Sequence, residues 1–201
     1  MVNSRAFPKF PPIPRWYKDW IITEKIDGTN GLICVIDTSD YTIEQVHEPL
    51  AEIDGLRVYA GSRNRWLEAE KGKDNYGFAA WVKEHAEDAV ALGVGLHYGE
   101  WYGQGIQRNY GLSEKRFALF NTSRWTESRP ESFDVVPVLW QGEGYVISNA
   151  IDDVLWQLEE EGSVMVPGFY NPEGIVIYNI ETGKYWKQTI HADKVPKSEQ
   201  R

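Results

Sequence analysis

The alternation of apolar and polar residues along the chain predicts a series of short strands. An apolar run at 20–22 continues into Thr23 and Lys25, and residues 31–37 form a second apolar run. We expect these two runs to be buried strands that pair across a turn at 28–30. Further candidate strands lie at 41–46, 56–60, 94–102, 116–121, 133–139, 172–178 and 184–188. The last two of these are predicted to pair as a hairpin.

Apolar residues recur at helical spacing in two segments, 76–92 and 148–161. Each segment has polar residues suited to cap its start and a glycine suited to end it: Asp74 or Asn75 with Gly93 for the first, and Ser148 or Asn149 with Gly162 for the second. Together with the strands, these helices indicate an α+β fold with mostly antiparallel strands.

The two ends of the chain differ in composition from its interior. Residues 1–15 contain four prolines and are expected to form an extended arm. Residues 192–201 are polar and are expected to fray. The interior has no repeat and no linker-like segment, so we expect residues 1–201 to form a single domain.

Charge and composition narrow the classes of function. The net charge of −9 argues against a protein that binds nucleic acid over its whole surface, so such binding would use a local patch. A single cysteine, Cys34, excludes an internal disulfide and a cysteine-based zinc site, and the four histidines lack the spacing of metal ligands. The sequence has no apolar run long enough to cross a membrane and no signal-peptide core. We therefore expect a cytoplasmic protein that does not bind membranes.

Residues 23–30, which read Thr-Glu-Lys-Ile-Asp-Gly-Thr-Asn, are the strongest candidate for chemistry. On a strand, Lys25 and Asp27 would point to the same side, and Gly28 would let a ligand approach the backbone closely. The alternative for this segment taken alone is an ordinary hairpin turn that carries a lysine. Arg63 and Arg65 follow a predicted strand and either face one ligand together or belong to a solvated loop.

Further motifs follow in a fixed order. They are Ser-Arg at 62–63, Gly-Glu at 99–100, an aromatic strand at 116–121, Glu-Gly-Ile-Val at 173–176 and a lysine-bearing strand that ends at 187. This succession resembles the covalent nucleotidyltransferase superfamily of ATP-dependent ligases and mRNA-capping enzymes. Residues 24–30 look most like the RNA ligases typified by the second phage RNA ligase class and the kinetoplastid RNA-editing ligases, and residues 7–11 are similar to the stretch that precedes the lysine motif there.

The resemblance implies a nucleotidyltransferase (adenylation) domain of antiparallel sheets with flanking helices, which uses ATP and Mg²⁺. It implies that Lys25 is the nucleophile that attacks the α-phosphate of ATP, that Glu173 is the metal-binding carboxylate, and that Lys187 contacts the α-phosphate. It assigns the nucleotide site to Glu24, Asp27, Asn30, Arg63, Glu100 and the two phenylalanines Phe117 and Phe120, of which one would stack on adenine. Within this set, Glu100 would hold the ribose hydroxyl and Arg63 the ribose and phosphates.

The chain departs from the family pattern in three places. Asp27 stands where histidine is commoner in these RNA ligases. The last motif, usually Lys-x-Lys, reads Tyr-Trp-Lys at 185–187, and Lys184 is one residue out of register, so on a strand it faces away from Lys187. The sequence stops soon after this motif, so we expect no C-terminal accessory domain.

The resemblance favours an ATP-dependent RNA ligase that joins 5′-phosphate and 3′-hydroxyl ends of RNA, at a nick in a duplex or between ends, and acts as a monomer. A small DNA ligase is the first alternative, because Asp27 matches the DNA-ligase form of the lysine motif. A non-catalytic module that binds nucleotides or nucleic acid is the second. A capping guanylyltransferase is disfavoured, because that chemistry depends on a C-terminal domain.

Overall fold

The structure is a computed structural model that describes residues 10–16, 18–39, 47–125 and 128–191. Three features predicted from the sequence lie wholly or partly outside these residues: the beginning of the extended arm, the strand at 41–46 and the polar tail at 192–201. Residues 10–16 contain no helix or strand and are exposed.

Strands dominate the described part of the chain. They are β1 (Trp20–Lys25), β2 (Thr29–Asp37), β3 (Ala51–Ile53), β4 (Leu56–Gly61), β5 (Trp66–Leu67), β6 (Gly95–Gly103), β7 (Lys115–Leu119), β8 (Phe133–Val135), β9 (Val138–Gly142), β10 (Gly174–Asn179) and β11 (Lys184–Thr189). The helices are α1 (Phe78–Glu84), α2 (Ala86–Ala91) and α3 (Ile147–Glu161), and a 3₁₀ turn (Gly144–Val146) leads into α3. Among the described strands only β7 and β8 pair in parallel, so the predicted α+β fold with mostly antiparallel sheets is confirmed.

The strands form two sheets. The four-stranded sheet has the order β11-β10-β1-β9, and the seven-stranded sheet has the order β3-β4-β2-β6-β7-β8 with β5 beside β4. The predicted hairpin of β10 and β11 is present, with Val176 opposite Lys187. The strand that ends at Lys25, β1, lies between β10 and β9 inside the smaller sheet.

The predicted hairpin between the first two strands is wrong, because β1 and β2 belong to different sheets. Residues 26–28 carry the chain from one sheet to the other. Ile26 is buried there, and the N–H groups of Asp27 and Gly28 donate to the hydroxyl of Tyr110 and the carboxylate of Glu100 instead of to a hairpin ladder. A Cβ on residue 28 would lie 2.4 Å from the backbone oxygen of Trp101, so this crossing requires glycine.

Each sheet has one or two helices packed against one of its sides. Helices α1 and α2 pack Phe78, Val82 and Ala89 against the seven-stranded sheet, and α3 packs Val154 and Leu158 against the four-stranded sheet. Both contacts bury apolar side chains, which stabilises the fold. In the described part of the chain, no helix has both the length and the apolar character that a membrane crossing requires.

Two details of the helix predictions need correction. The segment predicted as one helix is divided at His85, whose backbone leaves helical geometry (φ −104°, ψ 33°) and whose Nδ1 lies 2.9 Å from the carbonyl oxygen of Trp81. The cap position of α1 is Gly77 and not Asp74, although the Asp74 carboxylate accepts hydrogen bonds from the first-turn N–H groups of Ala79 and Ala80.

Helix α3 follows the predicted range closely but not the predicted cap. It begins after Val146, and no side chain caps its first turn, so the caps expected at Ser148 or Asn149 are wrong. The 3₁₀ turn runs directly into α3, which continues the winding of the chain without a separate cap. Gly162, with φ of 88°, ends the helix as predicted.

Candidate active site

A polar cleft lies where the two sheets meet, at the end of β1 and the start of β2. Its cavity has a volume of about 460 Å³. The residues that line it are Lys25, Asp27, Gly28, Thr29, Asn30, Ser62, Arg63, Asn64, Arg65, Asn75 and Glu100. Five residues selected from the sequence are therefore brought together here: Lys25, Asp27, Asn30, Arg63 and Glu100. Ser62, Asn64 and Asn75 were not among the predicted site residues, and the last donates to the hydroxyl of Thr29 at 2.9 Å.

The amine of Lys25 is paired with a carboxylate from the neighbouring strand. Its Nζ lies 2.5 Å from Oε2 of Glu173, and the two side chains are 21% and 15% exposed. The contact spans 148 positions in the sequence and follows from the register, because Lys25 lies opposite Gly174 in the antiparallel pair of β1 and β10. The predicted nucleophile and the predicted metal ligand are thus direct neighbours at the edge of the cleft.

Glu100 enters the cleft from the seven-stranded sheet. It lies opposite Asn30 on β2, and its Oε1 accepts a hydrogen bond from the N–H of Gly28 at 3.1 Å. Burial raises the pKa of Glu100 from an ordinary value of 4.5 to about 7, although the charge of Lys25 lowers it. This carboxyl group therefore changes its charge near neutral pH.

Asp27 is held by two side chains from the loop between β6 and β7. Its Oδ2 accepts from Nε of Arg108 at 2.9 Å, and its N–H donates to the hydroxyl of Tyr110 at 2.7 Å. The sequence left Arg108 open between a substrate contact and plain surface charge, and it did not mark Tyr110 as a site residue. A glycine-rich loop with an arginine resembles many surface loops, so the local sequence carries no signal for this contact.

The two arginines after β4 have different surroundings. Both line the cavity and are exposed. The guanidinium of Arg65 donates to the carbonyl oxygens of Lys73 and Asp74 and so anchors the segment before α1. Arg63 makes no hydrogen bond or ion pair to any other described residue, which leaves its guanidinium available to an anionic ligand.

We call the side of the four-stranded sheet that carries Lys25, and the side of the seven-stranded sheet that carries Glu100, the cleft faces. The opposite sides, covered by the helices, are the core faces. Since successive residues of a strand alternate in direction, each strand divides its side chains between the two faces.

Glu24 lies on a core face and does not line the cavity. Its carboxylate is 1% exposed and accepts three hydrogen bonds, from the hydroxyl of Ser163 and the N–H groups of Val164 and Met165. Burial raises the pKa of Glu24, and the three hydrogen bonds oppose that rise. Both carboxylate oxygens of this glutamate therefore bind residues 163–165, and its side chain is buried away from the cavity.

The two candidate aromatic residues lie on different faces. Phe117 is fully buried on the core face, where its ring centre is 4.9 Å from that of Phe78. Phe120, just beyond β7, is 39% exposed and bonds to Tyr98, two residues before Glu100, so it shares the cleft face with that glutamate. Of the two, Phe120 is the ring that is exposed on the cleft face, although it does not line the cavity itself.

Lys187 and Lys184 also lie on different faces. The register joins Thr23, Val176 and Lys187 across three strands, so Lys187 shares the cleft face with Lys25 and is exposed. Lys184 shares the core face with Trp186, whose ring packs against Trp20. The expected difference between these two lysines is therefore present in the strand register.

The chain is similar to one family of known proteins. A family model described as RNA ligase matches residues 18–189, a range that includes every described strand. None of the curated proteins compared matches the chain.

Three solved structures with the same fold are mutants of an RNA ligase from Naegleria gruberi. Two contain ATP and Mn and match with TM-scores of 0.56 and 0.54, both at 17% identity. A third contains AMP and Mn and matches with a TM-score of 0.56 at 16% identity. The matches cover 88%, 89% and 89% of this chain and 50%, 51% and 51% of those chains, so this chain spans about half their length. At this identity the similarity shows a shared fold.

Proposed function

The chain belongs to the RNA ligase family, as the order of its motifs predicted, and on that premise we propose that it is an ATP-dependent RNA ligase. We propose further that it activates 5′-phosphate ends through a lysyl-adenylate on Lys25 and joins them to 3′-hydroxyl ends. The observation that carries this proposal is the pair of Lys25 and Glu173 at the edge of a cleft that also contains Arg63 and Glu100.

The proposed first step is attack by Nζ of Lys25 on the α-phosphorus of ATP. A nitrogen–phosphorus bond forms, the bond from the α-phosphorus to the bridging oxygen of the β-phosphate breaks, and pyrophosphate leaves. An ordinary lysine is protonated at neutral pH and must lose a proton before it can attack. Oε2 of Glu173, 2.5 Å from Nζ, is placed to receive that proton.

The remaining cleft residues suit a nucleotide. Phosphoryl transfer depends mainly on positioning and on cations near the phosphoryl oxygens, and Arg63 and Lys187 are cations on the cleft side. Glu100 is a suitable acceptor for a ribose hydroxyl, with Asn30 opposite it. Phe120 offers a flat apolar surface for adenine, whereas the buried Phe117 supports the sheet.

The residues present also fit Mg²⁺ that is carried by the nucleotide. Within the described part of the chain, no three His, Cys, Asp or Glu side chains are grouped as a metal cage. Mg²⁺ usually binds through one or two carboxylates together with substrate phosphates, and Glu173 would supply the protein carboxylate. When bound, the ion neutralises charge on the phosphate oxygens.

The proposed polynucleotide substrate is RNA, as a nicked duplex or as separate ends, bound by a single nucleotidyltransferase domain. The net charge of −9 implies that the cleft, rather than the whole surface, holds the strand. A DNA ligase remains the second candidate, because Asp27 matches the DNA-ligase form of the lysine motif.

The direct test is the intact mass of the protein after incubation with ATP and Mg²⁺. Wild type is expected to gain one adenylate, and Lys25→Ala is expected to gain none while it remains folded. Lys83→Ala is a matched control, because it removes an exposed lysine on α1, away from the cleft. Folded wild type that is not already adenylated and gains no mass with any nucleotide would favour the non-catalytic binding module.

The choice of polynucleotide is tested with nicked duplexes that differ only in the 3′-hydroxyl strand. We expect faster sealing when that strand ends in RNA than when it ends in DNA. A strong preference for the deoxy strand would replace the proposed RNA ligase by a DNA ligase, with the lysine chemistry unchanged.

A further inference from the structure

The loop between β6 and β7 joins the two strand ends that carry the reactive pair. Nε of Arg108 donates to Asp27, and Nη1 donates to the carbonyl oxygen and to the side-chain oxygen of Asn171, at 2.9 and 2.8 Å. We propose that Arg108 is a positioning residue that sets Lys25 against Glu173 for adenylation. This inference rests on the proposed function.

The reactive pair needs such a support because both of its members lie at strand ends. β1 ends at Lys25 and β10 begins at Gly174, directly after Glu173, so ladder hydrogen bonds hold only one side of each residue. Asp27 lies two residues after Lys25, and Asn171 lies two residues before Glu173. One guanidinium group therefore fixes both free ends, and its planar fork holds them at a set separation.

The loop that carries Arg108 has an unusual backbone. Gln107, Asn109 and Tyr110 have φ angles of 43°, 63° and 52°, in the left-handed region that side chains other than glycine seldom adopt. Strain of this kind persists only where the surrounding structure imposes it, and it gathers at functional sites. Here the strained residues on both sides of Arg108 direct two groups, its guanidinium and the hydroxyl of Tyr110, onto Asp27.

Arg108 itself does not line the cavity, whereas Asp27 does. The side chains of Arg108 and Asp27 are 25% and 26% exposed, so their contact is partly shielded from water. A guanidinium placed behind the cleft acts on the geometry of the reacting groups and leaves the ATP-binding surface intact. Its loss should therefore slow the chemical step and leave ATP affinity almost unchanged.

The test is single-turnover adenylation, which separates the rate constant from the active fraction and from ATP affinity. We expect Arg108→Ala to lower the rate constant at saturating ATP about 10- to 100-fold, since small misplacements of reacting groups have effects of this size. The ATP concentration that gives half the maximal rate should stay within about threefold of wild type. Arg108→Lys keeps the charge but lacks the fork, so it should stay at least about fivefold slower than wild type.

Two further variants sharpen the result. Combining Arg108→Ala with Asp27→Asn should cost less than the product of the two single losses, because both remove the same contact. Arg116→Ala, which removes an exposed guanidinium paired with Glu114 on the surface, should behave as wild type.

The outcomes separate this inference from the function on which it rests. Wild type that takes up no AMP would overturn both. An adenylating wild type together with Arg108→Ala at the same rate constant would overturn the inference alone. A variant whose ATP affinity falls as much as its adenylation rate would also overturn the inference, because this result indicates a binding residue. So would a variant that keeps the rate constant but has a smaller adenylated fraction, because this result indicates a folding defect.

Discussion

Residues of the same type have different surroundings on the cleft faces and on the core faces of the two sheets. On the core face, Glu24 is 1% exposed, and its carboxylate accepts three hydrogen bonds from residues 163–165. On the cleft face, its neighbour Lys25 is 21% exposed and touches one carboxylate. Glutamates, lysines and phenylalanines each occur on both faces. Residue type alone therefore does not reveal which side chains serve the fold and which are free for chemistry.

This difference between the faces provides matched control residues for mutagenesis. Three of the candidate residues on the cleft faces have a counterpart of the same type on a core face: Phe120 with Phe117, Lys187 with Lys184, and Glu100 with Glu24. Substituting both members of a pair tests whether the faces differ in function as they do in burial.

The largest effect is expected for the phenylalanines. Phe117→Ala removes a fully buried ring that packs against Phe78, and it should lower the free energy of unfolding by about 3–5 kcal/mol. Phe120→Ala should change stability by less than about 1 kcal/mol and weaken ATP binding about tenfold through the loss of a stacking surface. Urea unfolding and titration with ATP measure the two quantities. A large stability loss for Phe120→Ala would contradict the division into faces.

The lysines are expected to show the next largest effect. Lys187→Ala should slow adenylation about 100- to 1,000-fold, because it removes a cation on the cleft face that stabilises charge on the phosphoryl group. Lys184→Ala should stay within about twofold of wild type, as expected for an exposed residue on the opposite face. Single-turnover rates at saturating ATP measure both variants. Equal losses for the two lysines would show that strand register does not decide their roles.

Substituting Glu24 tests whether a glutamate on the core face serves stability and not adenylation. Glu24→Ala leaves the hydroxyl of Ser163 and the N–H groups of Val164 and Met165 without their acceptor, which should cost about 2–3 kcal/mol of stability. Adenylation by the folded variant at low temperature should keep its rate constant. A variant of normal stability that fails to adenylate would place Glu24 in the nucleotide site after all.

Local sequence patterns predicted the strands and helices better than they predicted which strands pair with one another. The apolar runs marked β1 and β2 correctly, yet the expected hairpin between them is wrong, because the best partner of β1 is β10, almost the whole chain away. The contact of Lys25 with Glu173 depends on that distant pairing. The motif order predicted that both residues share a site, but the register that joins them was not visible in either segment.

Strand alternation predicted that Lys184 and Lys187 face opposite ways, and it places Phe117 and Phe120 on opposite faces too. It could not tell which face meets the cleft, because this depends on the pairing of Glu100 with Ala118 across β6 and β7. For a similar reason the sequence could not decide whether Arg108 is a site residue or plain surface charge. Its partners lie 81 and 63 positions away, and a single arginine in a loop has no periodicity to mark it.

The smallest predicted effect concerns Glu100, which is partly buried and, unlike Glu24, accepts a hydrogen bond from a single donor, the N–H of Gly28. Its pKa rises from 4.5 to about 7, so the native state holds this proton more tightly than the unfolded state does. The contribution of Glu100 to the free energy of unfolding therefore falls as pH rises from about 4.5 to about 7 and is constant on either side. Glu100→Gln keeps an acceptor for Gly28 but does not titrate. Its stability relative to wild type should rise by about 2 kcal/mol between pH 5 and pH 8, as measured by urea unfolding. A difference that stays constant with pH would mean that the cleft hydrates Glu100 as water does, and the contrast between the two glutamates would then reduce to their hydrogen bonds.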